Sequence, residues 1–198
     1  MSSQRPQQVV LVRHGETEWS LHLRHTSRTD VPLTNRGRRQ AERVGHALRG
    51  RRFALVMTSP LERAAETCRL AGFGEVAHTR DDLREWDYGD YEGRTTRDIR
   101  REVPDWTIWR YAAPNGETSE QVAARADRVL DEVRVADGEV LLFSHGHFLR
   151  VTTARWLGLG AREGRLFALD PATISVLGYE RETPVIQIWN EPATRAAE

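Results

Sequence analysis

The stretch VVLVRHGETEWS, residues 9–20, predicts both the fold and the position of a functional site. Its apolar run at 9–12 is typical of a buried β-strand and is too short to span a membrane. The run leads directly into Arg13, His14 and Gly15. Because ligands of open α/β sheets bind outside the carboxyl ends of the strands, we expect a ligand beside these three residues.

Length and charge limit the class of protein. The chain has 198 residues, and we expect a single domain over 1–198 with loose tails at 1–7 and 191–198. Its 29 basic and 29 acidic side chains cancel, which argues against a nucleic-acid binder and against a protein of the membrane surface. The N-terminus lacks the apolar segment of a signal peptide, so the sequence predicts a cytoplasmic protein.

All 29 cationic side chains are arginine, because the sequence contains no lysine. This absence excludes a P-loop, a kinase-type lysine and any Schiff-base chemistry. Cys68 is the only cysteine, and its helical spacing favours a core position, so neither a disulfide nor a CxxC metal site is expected. The cations of any site must therefore be arginine or protonated histidine, and arginine binds phosphate or carboxylate as a bidentate fork.

Strands and helices alternate along the chain. Ser59 and Thr118 have the sequence pattern of helix N-caps, and Glu62 would complete a capping box with Ser59. The alternation predicts an α/β fold with a mostly parallel sheet covered by helices on both faces. Strands after the first are predicted at 53–59, near 75–78, at 139–146, and at TISVLGYE and PVIQIWN near the C-terminus.

Two of the predicted strands end in the same way. One leads into Arg13–His14–Gly15 and the other into Ser144–His145–Gly146. If these strands are parallel neighbours, both histidines emerge at the same edge of the sheet. Arg63, on the first turn of the helix after the second strand, can reach that edge as well. Arginines, histidines and helix N-termini at one edge indicate a site for an anion such as phosphate.

The same residues suggest a reaction. A neutral histidine can attack phosphorus, and the phosphoramidate that forms is labile enough to turn over. Two arginines would stabilise charge on the non-bridging oxygens, and a second histidine can donate to another oxygen. The departing alcohol also needs a proton from a carboxylic acid on the opposite side of the phosphorus. Glu85 is the candidate acid, and four carboxyl groups of the same segment remain alternatives: Asp82, Asp87, Asp90 and Glu92.

Five ordered segments resemble the histidine phosphatase superfamily, also called phosphoglycerate-mutase-like. They are LVRHGETEWS, TDVPLTNRGRRQA, TSPLERAAET, LREWDYGDYEG and FSHGHFLR, and they span about three quarters of the chain. The resemblance implies a three-layer α/β/α sandwich and an enzyme that needs no metal and no other cofactor. It implies that His14 is the phosphorylated nucleophile and that Glu85 donates the proton and later activates water. The phosphate pocket would then consist of Arg13, Arg63 and His145.

The motifs look more like those of actinobacterial acid phosphatases and sedoheptulose-bisphosphatase-like members than those of mutases. Mutases usually carry a basic cluster for a bisphosphorylated cofactor, whereas this chain has no lysine and has Trp86 where a basic residue is expected. Ser20 stands where the family usually has asparagine. Aromatic rings and hydroxyls at the mouth would suit a small-molecule phosphate ester of a sugar or other polyol. The predicted substrate-binding residues are Thr17, Ser20, Arg24, His25, Thr26, Trp86, Tyr88, Tyr91, Glu117 and His147.

Three alternative functions remain open from the sequence. A 2,3-bisphosphoglycerate-dependent phosphoglycerate mutase would be stimulated by that compound. A metallohydrolase built on His145 and His147 would lose activity with EDTA, although the sequence has no HExxH motif and flanking arginines would repel a divalent cation. A non-catalytic binder of phosphorylated ligands would bind without turnover. The family resemblance also makes a homodimer plausible.

Overall fold

A computed structural model describes residues 7–193, which contain a six-stranded sheet flanked by helices. No helix in this range is long and apolar enough to cross a bilayer. The strands are β1 (Val9–Arg13), β2 (Leu55–Thr58), β3 (His78–Thr79), β4 (Val140–Ser144), β5 (Thr173–Glu180) and β6 (Thr183–Pro192). The α-helices are α1 (Glu18–Leu21), α2 (Asn35–Ala47), α3 (Glu62–Leu70), α4 (Thr96–Ile99), α5 (Ser119–Val135) and α6 (Gly146–Trp156).

The strand order in the sheet is β3-β2-β4-β1-β5-β6. β4 lies between β1 and β2 and is parallel to both, and β3 is parallel to β2. β5 is antiparallel to both of its neighbours, β1 and β6, and runs opposite to the other five strands. The predicted mostly parallel sheet is therefore confirmed, and the first and fourth strands are the direct neighbours that the anion site requires.

Successive residues of β1 face opposite sides of the sheet. Val9 and Leu11 pack in the cluster that includes α5 and α6, whereas Val10 and Val12 pack in the cluster that includes α2 and α3. Burial on both faces explains the unbroken apolar run of this strand. Cys68 lies in the second cluster, and burial raises the pKa of its thiol to about 12, as expected for a core residue. The predicted three-layer α/β/α sandwich is confirmed.

The structure corrects the predicted N-terminus of α3. The helix begins at Glu62, with Leu61 as its N-cap residue and no side-chain cap. The Ser59 hydroxyl accepts from the N–H of Leu61 over 3.3 Å, not from an N–H within the helix, and its Oγ also lies 2.7 Å from Nε2 of His145. Thr118 does cap α5, and Gln121 completes a capping box there. A serine predicted to cap a helix thus lies at the sheet edge where the sequence predicts an anion site.

The predicted tails are shorter than the sequence indicates. β6 continues to Pro192 and pairs with β5, so residues 191–192 belong to the sheet. The side-chain amide of Gln7 donates to the carbonyl oxygens of Val133 and Ala136 at the end of α5. The remaining residues of the predicted tails, except 193, lie outside the described residues.

Candidate active site

His14 and His145 leave the sheet side by side. In the parallel pair of β1 and β4, Arg13 is opposite Ser144, so the residue after each strand emerges at the same carboxyl edge. The backbone N–H of His14 donates to the carbonyl oxygen of Ser144 over 3.0 Å. The centroids of the two imidazole rings are 5.2 Å apart. The pairing register of β1 and β4 therefore places both histidines next to each other at the carboxyl edge of the sheet.

The backbone fixes the tautomer of His14. Its Nδ1 lies 2.8 Å from the carbonyl oxygen of Gly15, which can only accept a hydrogen bond. Nδ1 therefore carries the hydrogen, and Nε2 keeps its lone pair. Burial, reinforced by the charges of Arg63 and Arg13, holds the pKa of His14 well below its usual 6.5. A neutral imidazole with a free lone pair is the form that can attack phosphorus.

Gly15 allows α2 to approach the loop that follows β1. A Cβ on Gly15 would lie 2.5 Å from the carbonyl oxygen of Gly37, and a Cβ on Gly37 would lie 2.1 Å from that of Glu16. The N–H of Gly15 also donates to the hydroxyl of Thr67 in α3 over 3.0 Å, and that hydroxyl donates to the Arg63 carbonyl over 2.7 Å. The histidine loop is thus held between two helices, which limits movement of the imidazole.

The guanidinium group of Arg63 organises the loop over the site. It is fully buried and donates to the carbonyl oxygens of Thr26, Ser27 and Thr29 at 3.0–3.2 Å. Desolvation lowers the pKa of Arg63, and the nearby carboxyl group of Glu85 opposes this shift. Arginine nevertheless stays charged in proteins. A permanent positive charge is therefore fixed behind the nucleophile.

Unpaired buried nitrogens surround His14. Among residues 7–193, four buried side-chain nitrogen or oxygen atoms lack a hydrogen-bond partner, and three of them are Nε of Arg13, Nε of Arg63 and Nδ1 of His145. The Oγ of Ser59 lies 2.7 Å from Nε2 of His145, so Nδ1 is the nitrogen of this ring that has no partner. Buried polar groups without partners are rare in native proteins and call for a functional explanation. Three such nitrogens, two of which are guanidinium N–H donors, are suited to binding one anion.

Backbone N–H groups orient the carboxylate of Glu85. Oε1 accepts from the N–H groups of Trp86 and Phe148 at 2.9 and 2.8 Å, and Oε2 accepts from that of His147 at 3.1 Å. Two of these donors lie on the first turn of α6, which begins immediately after His145. The helix that follows the second histidine thus also positions the candidate acid.

The other candidate acids have structural partners. Among the described residues, Glu85 is the only acid that lines the main cavity at this edge. The remaining four carboxyl groups are bound elsewhere: Asp82 by Arg128, Asp87 by Arg28, Asp90 by Asn115, and Glu92 by the backbone N–H groups of Ser27 and Thr29. Their position leaves Glu85 as the acid that can reach a bound ligand.

The cavity has a volume of about 730 Å³, which is suitable for a small-molecule ligand. Six of the ten predicted substrate-binding residues line it: Ser20, Arg24, His25, Thr26, Tyr88 and His147. The other four do not, because their side chains have structural roles. Thr17 caps α1, Trp86 donates its indole N–H to the Glu117 carbonyl, Tyr91 packs edge-on against Trp106, and Glu117 pairs with Arg125.

Sequence reasoning missed several lining residues. Arg97, Arg100 and Arg150 line the cavity, as do Thr95 and Thr96. The spacing of three residues between Arg97 and Arg100 places both on one face of a helical turn, and this signal could have identified them. Arg150 is four residues after Gly146 on α6, so it shares a face with the start of that helix.

The cavity histidines away from the nucleophile are neutral as well. Burial lowers the pKa of His25 to about 4 and holds that of His147 well below its usual value. Burial also raises the pKa of Tyr88, so its phenol keeps the hydrogen, and the phenol oxygen lies 2.6 Å from Nδ1 of His147. Nε2 of His25 lies 3.1 Å from the hydroxyl of Thr96.

The HGH motif does not form a pair of metal ligands. His145 contacts the hydroxyl of Ser59, and His147 contacts that of Tyr88. Within residues 7–193, no three or more His, Cys, Asp or Glu side chains are grouped so that they could hold a metal ion. The two histidines of this motif thus each lie against a hydroxyl group.

An α/β sandwich with a neutral histidine between buried arginines defines a class of enzymes that handle phosphate esters. The sequence matches the family model of the histidine phosphatase superfamily (branch 1) over residues 9–192. It is 41% identical to an acid phosphatase of Mycobacterium tuberculosis, with 98% of each chain covered. It is 37% identical to sedoheptulose 1,7-bisphosphatase of Saccharomyces cerevisiae, over 78% of this chain and 69% of that protein.

A solved structure gives the same result. The product of an open reading frame from Mycobacterium tuberculosis superposes with a TM-score of 0.91 at 39% identity, covering 96% of this chain and 100% of that chain. The chain therefore belongs to the histidine phosphatase superfamily, and it is a phosphatase acting on small-molecule phosphate esters.

The contact between Ser59 and His145 leads to a prediction. Ser59→Ala is expected to lower kcat/KM for p-nitrophenyl phosphate about tenfold, because an unpaired buried nitrogen costs on the order of 1–3 kcal/mol and the ring loses its orientation. Steady-state kinetics would measure the loss. Ser175→Ala, which removes a buried hydroxyl from β5 outside the cavity, is the matched control. Equal kinetics in both variants would contradict a positioning role for Ser59.

Proposed function

We propose that this protein hydrolyses phosphate monoesters of sugars or other small polyols through a phosphohistidine at His14, without a metal ion. The observation that carries the proposal is the set of unpartnered buried nitrogens of Arg13, Arg63 and His145 around a neutral imidazole. The names of the relatives, an acid phosphatase and a sugar bisphosphatase, support this class of substrate. Hydroxyl and imidazole groups along the cavity wall can bind the hydroxyls of a polyol.

The first step transfers the phosphoryl group to the enzyme. The lone pair on Nε2 of His14 attacks phosphorus, and the bond between phosphorus and the ester oxygen breaks. Glu85 gives its proton to the departing oxygen, so the alcohol leaves neutral and the carboxyl group becomes a carboxylate. Arg13 and Arg63 stabilise the negative charge on the non-bridging oxygens as the transition state forms. The N–H at Nδ1 remains bound to Gly15 and stabilises the phosphorylated ring.

The second step returns the enzyme to its starting state. A water molecule takes the place of the alcohol, and the Glu85 carboxylate removes a proton from it as it attacks phosphorus. The bond between phosphorus and Nε2 of His14 breaks, and its electron pair returns to the ring. Inorganic phosphate leaves, and Glu85 is again protonated. Both steps balance in atoms and charge with the described side chains and water alone.

The lowered pKa of His14 supports activity in acid. A histidine with its ordinary pKa of about 6.5 would be mostly protonated, and therefore not nucleophilic, at pH 5. Burial and the two neighbouring guanidinium groups keep His14 neutral to lower pH. The nucleophile can therefore work under acidic conditions, as an acid phosphatase requires.

A panel of phosphate esters tests the proposal. We expect release of phosphate from p-nitrophenyl phosphate and from sugar phosphates, with the same rate in the presence and absence of EDTA. Inhibition by EDTA would replace the proposal with a metallohydrolase. Transfer that depends on 2,3-bisphosphoglycerate, without release of phosphate, would replace it with a mutase. Binding of esters without any turnover would leave a phospho-ligand binder.

A further inference from the structure

The main cavity contains more positive charge than one phosphoryl group requires. Five arginines line it, and Glu85 is the only acid lining it among the described residues. Arg13 belongs to the pocket around the nucleophile. Arg24, Arg97 and Arg100 are exposed at the cavity, and the proposed reaction uses none of them. We refer to these three residues as the outer arginine cluster.

The arginines of this segment differ in their ion pairs according to whether they line the cavity. Four arginines lie within residues 94–101. Arg94 pairs with Glu102 and Arg101 pairs with Asp98, and neither arginine lines the cavity. Arg97 and Arg100 do line it, and they make no ion pair with any acid in residues 7–193. The acids of this segment thus bind the outward-facing arginines and leave the cavity-facing ones free.

The backbone holds the outer arginine cluster together. An isolated antiparallel bridge joins Arg24 to Thr95, and the N–H of His25 donates to the carbonyl oxygen of Arg94 over 2.9 Å. This pairing places Arg24 beside the start of α4, which carries Arg97 and precedes Arg100. Nε of Arg100 donates to the carbonyl oxygen of Trp106 over 2.8 Å, so the terminal amino groups of its guanidinium remain available. Backbone hydrogen bonds between these two segments therefore hold the arginines of the cluster near one another.

The charges of the cluster have a clear electrostatic consequence. Guanidinium groups that share a cavity without nearby carboxylates repel one another, and a bound anion removes this cost. Each guanidinium offers a planar pair of donors that fits a phosphate or carboxylate group. Surface arginines that only maintain solubility would gain by pairing with acids, as Arg94 and Arg101 do.

From this geometry we infer that the outer arginine cluster binds a second anionic group of the substrate, a phosphate or a carboxylate, while the reacting phosphoryl group lies at His14. The inference rests on the proposed function and narrows its substrate class to doubly anionic esters, such as sugar bisphosphates or phosphorylated sugar acids. The product alcohol would keep the second anion. The sequence has no lysine for a basic cluster. In this inference, Arg24 from one segment and Arg97 and Arg100 from another supply the positive charge instead.

Matched substrate pairs test the inference. Fructose 1,6-bisphosphate is compared with fructose 1-phosphate and fructose 6-phosphate, and 3-phosphoglycerate is compared with glycerol 3-phosphate. The first set removes a phosphate and the second removes a carboxylate, so the two arms identify the anion. We expect the wild type to favour the doubly anionic member of at least one set by about tenfold or more in kcat/KM, and we expect added salt to reduce this preference.

The variant Arg24→Gln/Arg97→Gln is expected to lose most of that preference through a higher KM, because the cluster contributes to binding rather than to chemistry. Neither side chain has a strong partner in residues 7–193, since Arg24 makes only a 3.3 Å bond to Gly93 and Arg97 makes none. p-Nitrophenyl phosphate, which lacks a second anion, is the reference ester. The readout is the ratio of kcat/KM between doubly and singly anionic esters, so that a loss common to all esters cancels. Arg94→Gln/Arg101→Gln removes the same charge outside the cavity and should keep the preference.

The outcomes separate the inference from the function on which it rests. Turnover of p-nitrophenyl phosphate with no preference for doubly anionic esters, or equal losses in both double variants, would overturn the second-anion site alone. No turnover of any ester would overturn the proposed function. In that case, calorimetry on the His14→Ala protein with fructose bisphosphate and monophosphate decides the inference, since equal dissociation constants would reject it.

Discussion

Replacing His14 with alanine is expected to lower kcat/KM for p-nitrophenyl phosphate by at least about a thousandfold, equivalent to about 4 kcal/mol of transition-state stabilisation. The reason is chemical, because in the proposed mechanism Nε2 of His14 is the atom to which the phosphoryl group transfers. The fold should persist. His14 makes its side-chain hydrogen bond to the adjacent Gly15, and removing the ring leaves the pairing of β1 with β4 intact. A circular dichroism melt would confirm that the variant is folded.

Trapping the covalent intermediate distinguishes a nucleophile from a residue that supports the reaction in another way. Wild-type protein quenched in alkali during turnover should carry phosphate in an acid-labile, base-stable bond, as expected of a phosphoramidate. His14→Ala should carry none. His46→Ala is the matched control, because His46 is an exposed histidine near the end of α2 and does not line the cavity. A covalent phosphate that survives in His14→Ala would transfer the nucleophilic role to another residue.

Replacing Glu85 with glutamine is expected to separate substrates by their leaving groups. Alkyl esters such as glycerol 3-phosphate should lose about a hundredfold or more in kcat/KM, because in the proposed mechanism Glu85 supplies the proton that a poor leaving group needs. Aryl esters such as p-nitrophenyl phosphate should lose less than about tenfold. The comparison uses kcat/KM because it reports the steps up to release of the alcohol. The later attack by water also needs Glu85 and would lower kcat for both classes.

This second role gives its own signature. With p-nitrophenyl phosphate, Glu85→Gln should show a rapid burst of nitrophenol followed by slow turnover, because the phosphohistidine forms but hydrolyses slowly. Asp82→Asn is the control, since Asp82 pairs with Arg128 and lies outside the main cavity. Equal losses on alkyl and aryl esters in Glu85→Gln would assign the proton to another acid. Thermal unfolding should accompany the kinetics, because the glutamine amide faces the N–H of His147 and loses one hydrogen bond.

Much of the fold follows from short-range patterns. The buried run at 9–12 must lie in a sheet covered on both faces, and the cap at Thr118 begins α5 where the sequence predicts. The convergence of His14 and His145 also follows, because strands of one parallel sheet share a carboxyl edge. The homodimer and the cytoplasmic location stay predictions.

The errors arise where tertiary contacts compete with local patterns. Ser59 has the pattern of a helix cap, but the neighbouring strand places His145 within 2.7 Å of its hydroxyl. Trp86 follows the candidate acid and seemed to face the substrate, yet its indole turns into the core and bonds the Glu117 carbonyl. The outer arginine cluster joins Arg24 to residues 97 and 100, and a linear reading does not show that a backbone bridge brings these segments together.

The exclusive use of arginine has a consequence for control of the enzyme by pH. Guanidinium groups keep their charge throughout the physiological range, while His25, with a pKa of about 4, stays neutral above about pH 5, and burial holds the pKa of His147 well below its usual value. The positive charge of the arginines in the cavity therefore does not change with pH, whereas the charge of the substrate's phosphate group does. A phosphate monoester gains its second charge near pH 6. Acidity would therefore regulate affinity by changing the ionic form of the ligand in solution, before it meets the protein.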